Sequence, residues 1–332
     1  MIEVYTQFPG IPSEEFYDST YLDVLNSTVE NIEENNINGA LIFYNHEVVD
    51  PLVLASYVLN KSKKLIPLVA IQPYSISPFT LAKSIKAISE IYNRKVNLNF
   101  IIGASKNELM QVGDLLTHDQ RYERLEEYIK ILKKLLTEEG ELNFQGAYYN
   151  YNKLKINSKV KKEHLPEILI AGSSSAGLNT SLNFGDVAVT HPEPIEEFVQ
   201  NNESLLSSNM SIGIRIGIIV RESKEEAWKL AYERFPQTRG GRVKTLYKTR
   251  SENTWSSKIA QISIREEIYD EVYWTGSFIS GKSSFPLLVG SYKAVSNYLN
   301  EYIDLGVQKI ILGGIYSKDD YKHLGILLDY IK

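Results

Sequence analysis

The chain is 332 residues long, 43% hydrophobic and 23% charged, proportions that exclude a disordered or collagen-like protein. Its formal net charge of -5 argues against a nucleic-acid partner, which a basic domain would serve. No apolar run reaches the length of a membrane span, and the N-terminal MIEVYTQFPG lacks the basic and apolar regions of a signal peptide, so no membrane partner and a cytoplasmic location are expected. With no cysteine, disulfides, thiolate metal ligands and a cysteine nucleophile are all excluded. The five histidines, His46, His118, His164, His191 and His323, form no paired motif, so no metal centre is expected.

Along the chain, short runs rich in Ile, Val and Leu alternate with amphipathic stretches. Strands are expected at 2–6, 39–44, 65–71, 96–102, 167–171, 186–190, 213–220 and 309–312. Helices are expected at 21–35, 51–60, 78–92, 118–136, 174–183, 194–202, 223–234, 292–305 and 319–331. Eight strands alternating with helices indicate an α/β protein, a (β/α)8 TIM barrel formed by the whole of 1–332 as a single domain. A doubly wound sheet fits less well, because no glycine-rich phosphate loop follows the first strand. The best-marked helix is 118–136: Thr117 and Gln120 make a capping-box pattern, Gly140 lies just past its end, and Tyr122, Leu125, Tyr128, Ile129, Leu132 and Leu136 share one face. Residues 142–156 read as strand–turn–strand around Gln145-Gly146. Residues 236–286, after the seventh strand, are too long for an ordinary connection. They read as an insertion and lid, helical around 256–269, with mobile ends rich in Gly, Ser and Lys.

Barrel sites form at the C-terminal ends of strands. Those ends carry Asn45-His46-Glu47, Gln72-Pro73-Tyr74, Gly103-Ala104-Ser105, Gly172-Ser173-Ser174-Ser175, His191-Pro192-Glu193 and Arg221-Glu222. In LIAGSSSAG, 169–177, a small-residue turn opens a helix. Backbone amides and serine hydroxyls there suit a phosphate, and plain N-capping by Ser173 or Ser174 accounts for the same residues equally well.

Several blocks occur together in order: DPLVLAS at 50–56, LVAIQPYSISPFTLAK at 68–83, NLNFIIGASKNEL at 97–109, GDLLTHDQRYERLEEY at 113–128, LIAGSSSAG, Glu193-Pro194, and GIRIGIIVRESKEEAW at 213–228. On these blocks the chain resembles the luciferase-like flavin-dependent monooxygenases, and most of all their alkanesulfonate monooxygenase branch. The resemblance implies an oxidoreductase that binds reduced FMN, supplied by a separate flavin reductase, and uses oxygen on a small-molecule substrate. It also implies a homo-oligomer. Carried over residue by residue, Ser173, Ser174 and Tyr122 match positions at the FMN phosphate, with Gly172 in the same turn. His118 matches a histidine lining the FMN site, and Asn99 a polar strand residue near the flavin ring. Without the resemblance, His118 would read as a solvent-exposed first-turn residue and Asn99 as a satisfied buried amide.

The substrate half departs from the sulfonate branch. Its cysteine position falls on Val48, its histidine on Gly217, its threonine on Ile102, and its loop arginine near Gly281-Lys282; Arg215 is kept. The substrate is therefore expected not to be an alkanesulfonate. His46, His191 and Arg215 are the catalytic candidates: a histidine suits proton transfer, and an arginine can hold an anion or pair with a carboxylate inside the barrel. The Arg239-Gly240-Gly241-Arg242 run reads as a solvated loop. A flavin-binding protein without catalysis and a deazaflavin-dependent oxidoreductase are the rival expectations.

Overall fold

A computed structural model describes residues 2–10, 19–103, 105–155, 159–251 and 253–332; Ala104 and Ile156, named above, lie outside them. The strands among the described residues are β1 (Glu3–Gln7), β2 (Gly39–Ile42), β3 (Ile66–Ile71), β4 (Asn97–Phe100), β5 (Glu141–Gln145), β6 (Asn150–Lys155), β7 (Ile168–Ala171), β8 (Val187–Thr190), β9 (Ser211–Arg221), β10 (Ile268–Tyr269), β11 (Tyr273–Trp274), β12 (Leu287–Ser291) and β13 (Val307–Gly313). The fold is a (β/α)8 barrel, with β1, β2, β3, β4, β7, β8, β9 and β13 as its strands. Each lies where the alternation in the sequence puts it. The chain divides into two compact units, one of residues 8–30 and 39–188, the other of residues 1–7, 31–38 and 189–332.

In the unit holding 39–188, β2, β3, β4 and β7 pair in parallel, with Leu41 beside Leu68, Ala70 beside Asn99 and Phe100 beside Ile170. The helices between them start on side-chain caps. Asp50 accepts from the amides of Leu52 and Val53 at 2.9 and 3.0 Å ahead of Pro51–Lys61, and Ser77 accepts from the Thr80 amide ahead of Pro78–Tyr92. The helix His118–Thr137 has the full capping box, Thr117 and Gln120 each accepting from the other's backbone amide. All six side chains expected on its inner face are buried. β5 and β6 form the expected hairpin, Gln145 beside Asn150.

In the other unit β1, β13, β9 and β12 pair in parallel, with Tyr5 beside Ile311, Ile311 beside Arg215, and Leu287 beside Gly217. Here the structure corrects the reading of 236–286. The loop expected at Arg239-Gly240-Gly241-Arg242 is not found: Arg239–Lys248 is a helix capped by Thr238, whose hydroxyl accepts from the Gly241 amide at 3.0 Å. A second helix, Thr254–Arg265, ends before the expected 269, because Asp270 and Glu271 adopt φ of 49° and 61° and turn the chain into the β10–β11 hairpin. Val272, Tyr273, Trp274, Thr275, Ser277 and Phe278 are buried, so much of the segment is core. Trp274 packs edge-on against Trp228, Tyr232 and Phe235. β12 is a strand that the sequence pattern does not announce; its short LLVGS run is framed by Pro286 and contains Gly290, and it becomes a strand by pairing with the second half of β9.

Candidate functional site

The turn after β7 is the most tightly specified feature of its unit. Ser174 caps the helix Ser175–Phe184, its hydroxyl accepting from the Gly177 amide at 3.2 Å. The helix His118–Thr137 lays Tyr122, 4% exposed, against this turn, and the phenol is hydrogen-bonded to the Ser174 side chain. A Cβ on Gly172 would stand 2.3 Å from the Tyr122 hydroxyl, and one on Gly177 2.5 Å from it. Both positions must be glycine for the hydroxyl to reach this helix N-terminus. Burial raises the phenol's pKa, opposed by Ser174 and Arg121, so Tyr122 remains a neutral donor. His118 is exposed, packs edge-on to Tyr122 with ring centroids 5.2 Å apart, and has its Nδ1 2.8 Å from Asp119. Ser173 is half-buried in the same turn. A helix N-terminus with a phenol and two serines beside it presents donors and a positive dipole end to an anion, the requirement of a phosphate group.

Two buried amide oxygens in the same unit lack donors. Asn99 Oδ1, on β4, and Gln72 Oε1, one residue past β3, are enclosed and without a hydrogen-bond partner among the described residues. The alternative to a flavin-site role for Asn99, a satisfied buried amide, therefore does not hold for Oδ1. Each orphaned acceptor costs about 1–3 kcal/mol unless a donor reaches it. The Tyr128 hydroxyl is also buried and partnerless, its ring edge-on to Phe100 and Tyr149. Orphaned acceptors together with a glycine-lined phosphate cradle fit a flavin, whose ring carries N–H donors and whose side chain ends in phosphate.

His46 stands on the loop after β2, held by Asn45, whose side-chain oxygen accepts from the amides of Glu47 and Val48 at 2.8 and 3.0 Å. Its Nδ1 lies 3.1 Å from Gln111 Oε1 and its Nε2 3.3 Å from the Tyr74 hydroxyl. With Gln111 accepting from Nδ1–H, Nε2 accepts from Tyr74. Burial and the hydrogen-bonded Tyr44 hydroxyl push the Tyr74 phenol up, so it stays protonated. Glu47 beside it is exposed and stands apart.

The second unit brings Arg215 and His191 together. His191 Nδ1 lies 3.0 Å from the Arg215 carbonyl, and its ring stacks on Trp255 with centroids 4.5 Å apart. With that carbonyl accepting from Nδ1–H, Nε2 is an acceptor. Burial, reinforced by the Arg215 charge and only partly opposed by the carbonyl, pushes the imidazole pKa down to about 3. Arg215 donates to Gln7 Oε1 at 3.1 Å and lies over the Phe285 ring at 5.4 Å. No carboxylate pairs with it among the described residues. Burial lowers its pKa to about 10, leaving it charged at neutral pH. A half-buried cation without a counter-ion is costly, and an anionic ligand would offset the cost. Gly217, two residues on, has no room for a side chain: a Cβ would lie 2.7 Å from Leu287 and 2.8 Å from Phe285.

Of the nine residues singled out from the sequence, Gly172, Ser173, Ser174, Tyr122 and His118 gather at one turn, and His191, just past β8, meets Arg215 in the middle of β9. Asn99 and His46 occupy separate places. Gln72, Tyr74, Tyr44, Gln111, Gly177, Gln7, Trp255 and Phe285 are not among the nine. Gln72 and Tyr74 carry a signal, since they follow the third strand directly; Gln111, Gln7 and Trp255 carry none. His164, bonded to Ser89, and His323, bonded to Tyr292, belong to neither cluster.

The fold and these strand-end clusters define a barrel enzyme. The chain belongs to the luciferase-like monooxygenase family, whose profile matches residues 8–309. The monooxygenase BtrO of Niallia circulans, named for 4-(gamma-L-glutamylamino)butanoyl-[BtrI acyl-carrier protein], is 38% identical over 97% of this chain and 95% of its own. Among solved structures, EDTA monooxygenase EmoA of Chelativorans sp. BNC1 is similar at a TM-score of 0.70 and 14% identity, covering 99% of this chain and 94% of that one. Riboflavin lyase RcaE, solved with modified FMN and riboflavin, is similar at 0.72 and 12%, covering 99% and 91%. At these identities the structures show the fold.

Proposed function

We propose that this chain is a monooxygenase that uses reduced FMN, supplied by a separate flavin reductase, and dioxygen to oxygenate an acyl substrate ending in a charged amino-acid group and borne as a thioester on a carrier protein. The observation that carries the flavin assignment is the Tyr122 hydroxyl set among Gly172, Ser174 and Gly177 at a helix N-terminus. These residues, with Ser173 and His118, hold the phosphate, and Asn99 and Gln72 accept from the ring's N–H groups. When bound, reduced FMN supplies the electrons that activate dioxygen. His46, backed by Tyr74 and Gln111, moves the proton, and Arg215 holds the substrate's carboxylate. The full-length likeness to BtrO supports the substrate class. The filled position at Gly217 speaks against alkanesulfonate chemistry, since the branch's histidine has no room there.

Titration with FMN, oxidised and reduced, tests the reading. Saturation at concentrations on the order of tens of micromolar is expected. No binding of either form would remove it, tighter binding of a deazaflavin would reassign the cofactor, and binding without oxygen consumption on a carrier-borne aminoacyl substrate would leave a flavin-binding protein only.

A further inference from the structure

The helix Arg239–Lys248 carries a feature that no step of the proposed reaction uses. From Pro236 to Ser251 the chain has five cations, Arg239, Arg242, Lys244, Lys248 and Arg250, and no carboxylate, in a protein of net charge -5. None of the five pairs with a carboxylate among the described residues, and four of them are exposed. Lys248 differs: it is half-buried and caps the Phe278 ring at 4.3 Å. The buried side of the helix is set by Gly241 and Thr245. A Cβ on Gly241 would lie 2.2 Å from the Ile279 carbonyl, so this face is pressed onto the backbone beneath.

The outward side is not purely polar. Arg239, Val243 and Tyr247 are four apart, as are Arg242 and Leu246, which puts these five on one side of the helix, with Arg250 in the turn that follows. Val243, Leu246 and Tyr247 are 43%, 57% and 77% exposed, between arginines. A solvated helix has no use for three exposed apolar side chains amid unpaired cations; a surface that meets an acidic, partly apolar partner does. The stripe is also close in sequence to the substrate cluster: Trp255, which stacks on His191 beside Arg215, is in the first turn of the next helix, which packs against this one.

We propose that the outward face of Arg239–Lys248, with Arg250, docks an acidic acyl-carrier protein, which presents its thioester-borne chain to the Arg215–His191 cluster. The partner is a protein and not a nucleic acid, because the chain as a whole is acidic and would repel a polyanion beyond this face. The inference rests on the carrier-borne substrate proposed above. Arginine on the rim steers encounter and fixes register, and the apolar residues between supply the contact that persists.

The test uses the full chain with Arg239→Glu, Arg242→Glu and Arg250→Glu together, all exposed positions, and circular dichroism to confirm an unchanged fold. Two substrates are compared: the acyl chain on the BtrI acyl-carrier protein and the same chain as a small N-acetylcysteamine thioester. The charge-reversed protein is expected to show KM raised about tenfold or more for the carrier-borne substrate, kcat within about twofold, and unchanged KM for the small thioester. Equal effects on both substrates, or no effect on either, would overturn the proposal. Direct binding of the apo carrier protein, followed by fluorescence anisotropy, separates this inference from the functional reading, since it needs no turnover. Binding that weakens with added salt and is lost in the variant is the expected result. No binding to the wild type, or tighter binding to single-stranded DNA or to phosphatidylserine vesicles, would overturn it.

Discussion

Ser173 and Ser174 are adjacent and chemically identical, yet the structure gives them different duties. Ser174 is the N-cap of its helix and bonds Tyr122, so Ser174→Ala should cost about 1 kcal/mol of stability in addition to a phosphate contact. Ser173→Ala should leave thermal stability unchanged. The double variant should weaken FMN affinity about 100-fold or more, from two charge-assisted hydrogen bonds at about 1.5–3 kcal/mol each. Fluorescence titration reads the affinity and calorimetry the stability; unchanged affinity in the double variant would reduce the turn to a helix cap. His46→Ala should behave oppositely, with FMN affinity nearly intact and turnover reduced about 100-fold or more. Tyr74→Phe removes the hydroxyl at Nε2 and should lower turnover while keeping most of the FMN affinity. If His46→Ala turns over normally, the proton-transfer role passes elsewhere.

At the scale of a secondary-structure element, β9 holds the half-buried Arg215, and His191 is hydrogen-bonded to its backbone just past β8. The folded-state pKa of His191, about 3, lies below its ordinary value near 6.5. Between those values the unfolded chain binds the extra proton and the folded chain does not, so stability falls as pH drops from about 6.5 toward 3 and is fully present above that window. His191→Asn keeps a side-chain donor for the Arg215 carbonyl and removes the titration. Its melting temperature should therefore decline less steeply than that of the wild type between about pH 6.5 and 4. Parallel acid limbs would show that His191 is not held neutral by its surroundings. β9 also explains a substitution that sequence comparison alone leaves bare: Gly217 is glycine because Phe285 and Leu287 fill the space beside it.

At the scale of the whole molecule, burial of 272–278 and pairing of β12 confine the proposed lid to a smaller part of 236–286. The part left to a lid is the Gly281–Ser284 turn, outside helix, strand and core, where Gly281 has φ of 80°. A site that excludes water from an activated oxygen species needs such a cover. Limited trypsin digestion should therefore cut first after Lys282, which is exposed. First cleavage in the helix His118–Thr137 would remove the lid. None of the described helices is long and apolar enough to cross a membrane.

Local rules were sufficient for much of this protein. Short runs of Ile, Val and Leu and the 3.6 period, together with caps at Asp50, Ser77, Thr117 and Ser174, mark the eight barrel strands and most of the helices, because each depends on neighbours within a few residues. The same locality marks the turn after β7, where a strand end, small residues and a helix start fall within nine residues. Other features arise only when distant segments meet. β12 is a strand because β9 offers it an edge, and Gly172 is required because Tyr122, fifty residues earlier, points its hydroxyl there. Among the described residues no donor reaches Asn99 Oδ1 and no carboxylate pairs with Arg215, outcomes of the fold that no local pattern encodes. The outward face of Arg239–Lys248 could be seen as charge in the sequence, but only packing of Gly241 and Thr245 against the body of the unit decided which side of that helix meets solvent.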